Sequence, residues 1–344
     1  MKLGIIGLPQ SGKTTVFEAL TNNTADPSHK GDDRLSMVLV PDRRIDKLSE
    51  MYSPQKTTYA RVEYFLPGTA AAKKDHPKEQ SIWTAARDCD ALIHVIRNHT
   101  AMGFDQKRPQ EDFMKMEQEL ILADLVVVEK RLERIELDHR RGKKMDPQEH
   151  ALLVDCQKHL ENETPLRRIA DLASAPALRG FAFLSAKPML VLFNNDDEDD
   201  QMPDAAKITD VEECLVIRGK LEQEMTQMSS EDAADFLNEF NISESAMDKV
   251  IRKSYVLLGL ISFFTVGSDE VRAWSIKGGT EAADAAETVH SDMKKGFIRA
   301  EVLAYDDLMA AGSYAAARKN GTVRLEGKNY VVKDGDIINI RFNV

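Results

Sequence analysis

Eight residues near the start of the chain, Gly7-Leu8-Pro9-Gln10-Ser11-Gly12-Lys13-Thr14, carry the spacing G-x-x-x-x-G-K-[ST] of a phosphate-binding loop. Each residue type has a chemical reason. Glycine at 7 and 12 permits backbone angles and a close approach that a Cβ would obstruct. Successive N–H groups, and the start of the helix that follows, can then point at a polyphosphate. Lys13 brings a compact positive charge to the β- and γ-phosphates, and it is the one residue expected to act catalytically, through charge stabilisation. The Thr14 hydroxyl is a hard oxygen ligand for Mg²⁺. The expected nucleotide contacts of the loop are therefore Pro9, Gln10, Ser11, Gly12, Lys13, Thr14 and Thr15, with Thr14 as the metal ligand.

A second group stands at Asn194-Asn195-Asp196-Asp197, directly after the apolar run 189–193. GTPases place Asn-Lys-x-Asp at such a point, the carboxylate accepting hydrogen bonds from guanine. Asn194 and Asp197 keep that spacing without the lysine and are the expected base contacts. Asp199 and Asp200 read as a solvated acidic loop. His76 and His99 could position a water, although a structural role is the simpler reading of each. Cys89, Cys156 and Cys214 lie far apart with no C-x-x-C pair, which excludes a zinc ribbon and predicts three inert thiols.

These groups need elements to hold them. Residues 2–6 read as a short buried strand, and 15–21 as a helix with Val16, Phe17 and Leu20 apolar. Further apolar strands are expected at 91–96, 189–193 and 214–217. Strands alternating with helices predict a mostly parallel α/β sheet, whose ligands sit at the carboxyl ends of its strands. Residues 112–163 differ. Phe113, Met116, Leu120, Ala123 and Val127 form a narrow stripe among many charges, followed by the basic turn Arg140-Arg141-Gly142-Lys143-Lys144. Asp146-Pro147-Gln148-Glu149 then has the cap, the first-turn proline and the acidic third position of a helix start. Two antiparallel helices with a basic tip result. From about residue 259 the chain shifts to β character. Residues 270–276 alternate, 282–293 read as a helix, 334–336 as a turn, and 338–344 as a final alternating strand.

The chain has 344 residues, 42% of them hydrophobic, enough for two or three domains. Acidic residues outnumber basic ones, 57 to 46, giving a net charge of −11. That balance opposes nucleic acid binding by the protein as a whole, so an RNA contact would need a local basic patch. No apolar run approaches the ~18 residues of a membrane helix. With the phosphate loop so near the first residue, no room is left for a cleavable leader, and a cytoplasmic location is expected. Neither a membrane nor DNA is an expected partner.

The loop GLPQSGKTTVFEALT, the charged helical hairpin and the stretch from RAWSIKGGTEAADAAETVHSDMKKGFIRAEVLAYDDL to RLEGKNYVVKDGDIINIRFNV together resemble the Obg-like ATPase family, often called YchF, in the translation-factor class of P-loop NTPases. The resemblance spans nearly the whole chain. It implies a G-domain-like α/β fold with an inserted coiled-coil hairpin and a C-terminal β-grasp module, the TGS domain. On that basis 1–103 and 182–258 form the nucleotide-binding domain, 104–181 the hairpin and 259–344 the TGS domain. The family binds ATP and often GTP with Mg²⁺, hydrolyses slowly and associates with ribosomes.

Departures from the family pattern carry chemical consequences. The switch I stretch Ser28-His29-Lys30-Gly31-Asp32-Asp33-Arg34 lacks the family's threonine for Mg²⁺. Phe65 stands where the family has the aspartate of Asp-x-x-Gly, and of that motif only Gly68 is retained. Residues 69–76 replace the glycine-rich switch II. Losing the aspartate weakens the outer shell of Mg²⁺, and losing the threonine weakens the report of the γ-phosphate to switch I. At the base, the ATP-preferring family has Asn-x-x-Glu. Family logic therefore favours ATP, while the Asp197 carboxylate favours GTP.

The leading reading is a slow, Mg²⁺-dependent purine nucleotide hydrolase that regulates an event at the ribosome. Its expected contacts are the hairpin tip and the TGS module, where Lys294, Lys295, Arg299, Arg318 and Lys319 supply positive charge. The alternative is a non-hydrolysing nucleotide-binding adaptor with degenerate switches. A metabolic kinase would need a second substrate pocket and a lid with arginines, for which the sequence shows no constellation.

Overall fold

The structure is a computed structural model that describes residues 1–22, 31–68, 78–100, 106–229, 231–232, 235–236 and 244–343. The expectations for residues 28–30 and for 69–76, His76 included, lie outside these. The chain divides into two units, one of residues 1–37 and 63–250, the other of 38–62 and 251–344.

The first unit is built on a six-stranded sheet in the order β2-β4-β1-β5-β6-β7. Its strands are β1 (Lys2–Ile6), β2 (Arg34–Leu39), β4 (Arg61–Leu66), β5 (Ala91–Asn98), β6 (Met189–Asn195) and β7 (Glu213–Ile217). β1 runs parallel to both β4 and β5, and β5, β6 and β7 continue the parallel set. Parallel strands are covered on both faces, hence their near-continuous apolar runs. Leu3, Ile5, Leu92, Ile93, Leu190 and Val191 are fully buried. β5 and β6 run two residues further than their apolar runs indicate. Asn98 Nδ2 donates to Asn195 Oδ1 at 2.8 Å, so the polar ends of the ladder satisfy each other. His94, inside β5, is buried and stacked on Phe113. Neither of its ring nitrogens has a hydrogen-bond partner among the described residues, and burial pushes its pKa down to about 3.

α1 (Lys13–Thr21) follows β1, and the hairpin is α4 (Pro109–Arg140) with α5 (Pro147–Glu161). The stripe of α4 serves two cores. Phe113, Met116 and Leu120 pack with Ile6, Leu92 and Phe193 in the sheet core. Ile121, Val128, Leu132 and Ile135 pack with Leu153, Cys156 and Leu160 of α5. The first turns of α4 are thus part of the sheet's own core. A buried ion network fastens this root. The Arg167 guanidinium donates to both Glu117 carboxylate oxygens and, at 2.7 and 3.0 Å, to Glu212 Oε1. Asp124, fully buried on α4, accepts from the N–H groups of Leu184 and Ser185 and from Arg87 at 2.7 to 3.0 Å. At the far end Asp146 caps α5 as expected, accepting from Gln148 N at 2.9 Å. Glu149 does not close a capping box. Its carboxylate reaches across to Arg131 at 2.8 and 2.9 Å, because a bidentate ion pair outweighs a single backbone bond.

The second unit carries a six-stranded sheet in the order β11-β10-β12-β8-β9-β3. Its strands are β3 (Lys56–Thr58), β8 (Leu260–Val266), β9 (Glu270–Lys277), β10 (Phe297–Ala304), β11 (Arg324–Glu326) and β12 (Asp336–Phe342). β8 and β9 form an antiparallel hairpin, β12 returns parallel to β8, and β10 runs antiparallel to β12. Helix Ala282–Val289 packs Ala282, Ala285 and Ala286 against Phe263, Ile276, Val302 and Ile338. This is the β-grasp arrangement. The helix expected over 282–293 is broken: His290 is extended and its Nδ1 accepts from Asp292 N at 3.2 Å, which caps a second helix, Ser291–Lys295.

Residues 38–62 join these C-terminal strands, whereas the family resemblance places them with the phosphate loop. α2 (Arg43–Tyr52) is capped by Asp42 and buries Ile45 and Leu48. Arg44 reaches Asp334 Oδ2 at 2.7 Å, and Asp334 in turn accepts from Ser262 N at 2.9 Å. β3 adds to the sheet edge parallel to β9, with Thr58 Oγ1 donating to Glu270 at 2.6 Å. The positive charge expected on this unit is largely paired. Lys294 faces Asp284 at 3.0 Å and also Glu287, Lys295 lies 3.9 Å from Asp292, and Arg318 reaches Glu301 at 3.0 Å. Arg299 and Lys319 are exposed. No helix among the described residues is long and apolar enough to cross a membrane.

Candidate phosphate-binding site

β1 ends at Ile6, in the middle of its sheet, and the loop Gly7–Gly12 turns the chain back into α1. The turn demands glycine at two places. Gly7 has φ 152°, and a Cβ on it would stand 2.4 Å from Val95 O and 2.8 Å from Ser11 Oγ. Gly12 is left-handed at φ 95°, and a Cβ there would stand 2.2 Å from Asn194 Nδ2. Gln10 also has positive φ, at 64°. Pro9 and Gln10 are exposed at the tip, while Ser11 is buried, its Oγ without a hydrogen-bond partner among the described residues. Gly12 precedes α1 with no side chain capping the first turn, so the leading N–H groups of the helix are not claimed by a cap.

Lys13 Nζ donates to Gly7 O and Leu8 O, both at 2.8 Å. Burial pushes its pKa down to about 8, because the ammonium is desolvated and bonded to carbonyls and not to a carboxylate. A phosphate brought to the loop supplies the missing counter-charge and draws that pKa up. Anion affinity is therefore expected to be constant below pH 8 and to weaken above it, by up to about tenfold per pH unit. Calorimetric titration at pH values on either side of 8 checks this. Thr14 is exposed at the head of α1 and Thr15 half-buried. Two Cβ-free positions, a buried hydroxyl unpartnered among the described residues, an uncapped helix start and a desolvated ammonium together suit a polyphosphate. The single hydroxyl of Thr14 suits Mg²⁺, an ion that keeps waters and takes its other ligands from phosphate.

Asn194 is brought against the loop from β6. Its Nδ2 donates to Ser11 O at 3.0 Å, and its Oδ1 accepts from Gly219 N at 2.9 Å. The side chain is buried. Each end of the amide thus bonds backbone, and Asn194 braces two loops against each other while keeping a second N–H and a second lone pair. Gly219 follows β7, and a Cβ on it would stand 2.8 Å from Asn194 Oδ1. Asp197 is half-exposed, 3.9 Å from Lys220 Nζ. Asp196 is held by Lys107 at 2.8 Å and by Thr100 N at 3.0 Å. Sequence spacing does not mark the turn Arg218-Gly219-Lys220, which meets Asn194 through the Gly219 N–H. A glycine between two basic residues at the end of a buried strand was its only signal.

Two further expectations meet the structure here. Phe65 is buried near the end of β4, opposite Gly4, with Lys2 Nζ 5.0 Å from its ring. An apolar packing role thus occupies the place of the family carboxylate. His99 is half-buried just past β5; its Nδ1 has no partner among the described residues, and burial lowers its pKa. Burial likewise pushes the Cys89 thiol up to about 11 and those of Cys156 and Cys214 to about 12, so all three are unreactive.

Residues 260–343 match the family model YchF-GTPase_C, described as a protein of unknown function (DUF933). The chain is 36% identical over 364 residues to the ribosome-binding ATPase YchF of Bacillus subtilis (strain 168), covering 99% of each chain. It is 34% identical over 361 residues to the ribosome-binding ATPase YchF of Escherichia coli O157:H7, covering 100% of this chain and 99% of that one. The structure of the Schizosaccharomyces pombe YchF GTPase superposes with a TM-score of 0.84 at 27% identity, covering 99% of this chain and 97% of that one.

Proposed function

This chain belongs to the YchF family, and from that premise we propose that it is a slow, Mg²⁺-dependent purine nucleotide hydrolase acting on the ribosome in the cytoplasm. The observation that carries the reading is the cradle of Gly7, Gly12 and Lys13, braced from β6 by Asn194 at the carboxyl edge of parallel strands. Lys13 holds the β- and γ-phosphates and stabilises the charge that develops on the transferred group. The N–H groups at the head of α1 bind phosphate oxygens and set the register of the polyphosphate. Thr14 would hold Mg²⁺, which, when bound, neutralises charge between the last two phosphates. Asn194 is a positioning residue: it fixes the phosphate loop to the turn at Gly219. Asp197 and Lys220 flank the place of the base. ATP is the favoured nucleotide, in keeping with the names of the bacterial relatives, and GTP the alternative.

One observation favours the second reading, a nucleotide-binding adaptor. Phe65 fills with apolar packing the position of a carboxylate that supports the metal. Single-turnover hydrolysis of ATP and GTP with Mg²⁺, with and without ribosomes, separates the two. Slow ATP hydrolysis, accelerated by ribosomes, is the expected result. Tight binding of either nucleotide without turnover under any condition would establish the adaptor instead.

A further inference from the structure

Two stretches of chain meet at the carboxyl edge of β4. Gly68 donates its N–H to Asp33 Oδ1 at 2.7 Å. The backbone of residues 31–33 lies so close that a Cβ on Gly68 would stand 2.3 Å from Gly31 O and 2.8 Å from Asp33 N. Glycine is required at 68 by this approach. The next residue, Arg34, is tied to α1: its Nη1 bonds Glu18 at 2.9 Å, and its guanidinium lies 4.6 Å over the Phe17 ring. The pair also follows the strand that neighbours the one feeding the phosphate loop. β1 and β4 are parallel neighbours in the register Lys2↔Glu63, Leu3↔Tyr64, Gly4↔Phe65. Both strands therefore release their chain at the same edge of the sheet, β1 into Gly7 and β4 toward Gly68.

We infer that Asp33 is a specificity-determining residue that discriminates triphosphate from diphosphate by competing with the terminal phosphate for the Gly68 N–H. The inference rests on the nucleotide reading above. An amide N–H gives one strong hydrogen bond to one anionic acceptor, so carboxylate and phosphate oxygens exclude each other there. The carboxylate also repels whichever phosphate comes nearest, and repulsion falls with distance. A terminal γ-phosphate meets both effects, whereas a chain ending at the β-phosphate meets only a remnant of the second. Asp33 therefore sets the ratio of the two affinities, and it does so without touching Lys13 or the loop.

The test compares ADP with a non-hydrolysable ATP analogue, and the guanine pair likewise, by calorimetry in Mg²⁺ on wild type, Asp33→Ala and Asp33→Asn. Asp33→Ala is expected to tighten the triphosphate analogue about three- to tenfold and to leave the diphosphate within about twofold, with Asp33→Asn falling between. Asp33 is exposed, so both variants should fold. Amide exchange in wild type gives an independent readout: Gly68 should change its protection with the triphosphate analogue and not with ADP. An equal shift for both nucleotides, or none, overturns the inference. So does weaker binding of the analogue in the variants, which would make the carboxylate a support for the metal. If wild type takes up neither nucleotide, the cradle reading fails and this inference falls with it. Wild-type binding with an unchanged ratio removes only the role of Asp33.

Discussion

Lys13→Ala should weaken ATP binding about a hundredfold and leave thermal stability unchanged. The magnitude follows from the site. Burial desolvates the ammonium, and a charge-assisted bond in such surroundings contributes about 1.5–3 kcal/mol. Lys13 has two phosphates within its expected reach, so a loss of about 2.7 kcal/mol, two decades in Kd, is the natural scale. The stability half of the expectation has its own reason. Removing a buried cation that among the described residues is bonded to Gly7 O and Leu8 O alone also removes its desolvation cost, and the two losses nearly cancel. Calorimetry and a thermal melt on the same sample measure both. A change in Kd below about threefold would show that the loop does not grip phosphate through this residue.

Arg167→Met is expected to have the opposite profile, a large loss of stability with the cradle untouched. Arg167 lies at the root of the hairpin, with side-chain exposure of 7%, between Glu117 and Glu212 at 5% and 7%. Two carboxylates share one guanidinium away from water. Methionine fills the volume but leaves Glu117 buried without its cation and Glu212 with only Arg168 at 3.6 Å, and breaking a buried pair in this way costs about 3–5 kcal/mol. Urea denaturation reads the loss directly. Adding Glu117→Gln and Glu212→Gln to the same protein should recover much of the stability, since neutral amides need no counter-charge. A single variant as stable as wild type would show that this network does not fasten the hairpin.

What could be read before the fold was known divides along physical lines. The phosphate loop was legible because its spacing encodes local backbone geometry: Gly7 and Gly12 sit where a Cβ has no room. β1, β5, β6 and the hairpin were legible because burial on two faces, or on one helical stripe, writes itself as a period. Asp146 declared the start of α5 by its own side chain. What was illegible depends on partners remote in sequence. β3 is three residues long and exists because β9 offers it an edge, with Thr58 bonding a residue 212 positions away. The brace made by Asn194 depends on Gly219 N and Ser11 O coming to one place, and nothing in Asn194-Asn195-Asp196-Asp197 announces that. The grip of Arg167 likewise unites three distant segments. Glu149, expected to cap its own helix, shows the same principle in reverse, a local pattern overruled by a cation across the hairpin.

The detour of residues 38–62 into the C-terminal sheet bears on modularity. A contiguous cassette beginning at residue 251 carries neither α2 nor the edge strand β3, and it loses the Arg44 partner of Asp334. Cutting the chain there would strand those residues on the other fragment, with Ile45 and Leu48 turned out to solvent. Such a module cannot be grafted, deleted or exchanged between genes as one uninterrupted block. Its inheritance is bound to that of the nucleotide sheet through which the chain is threaded.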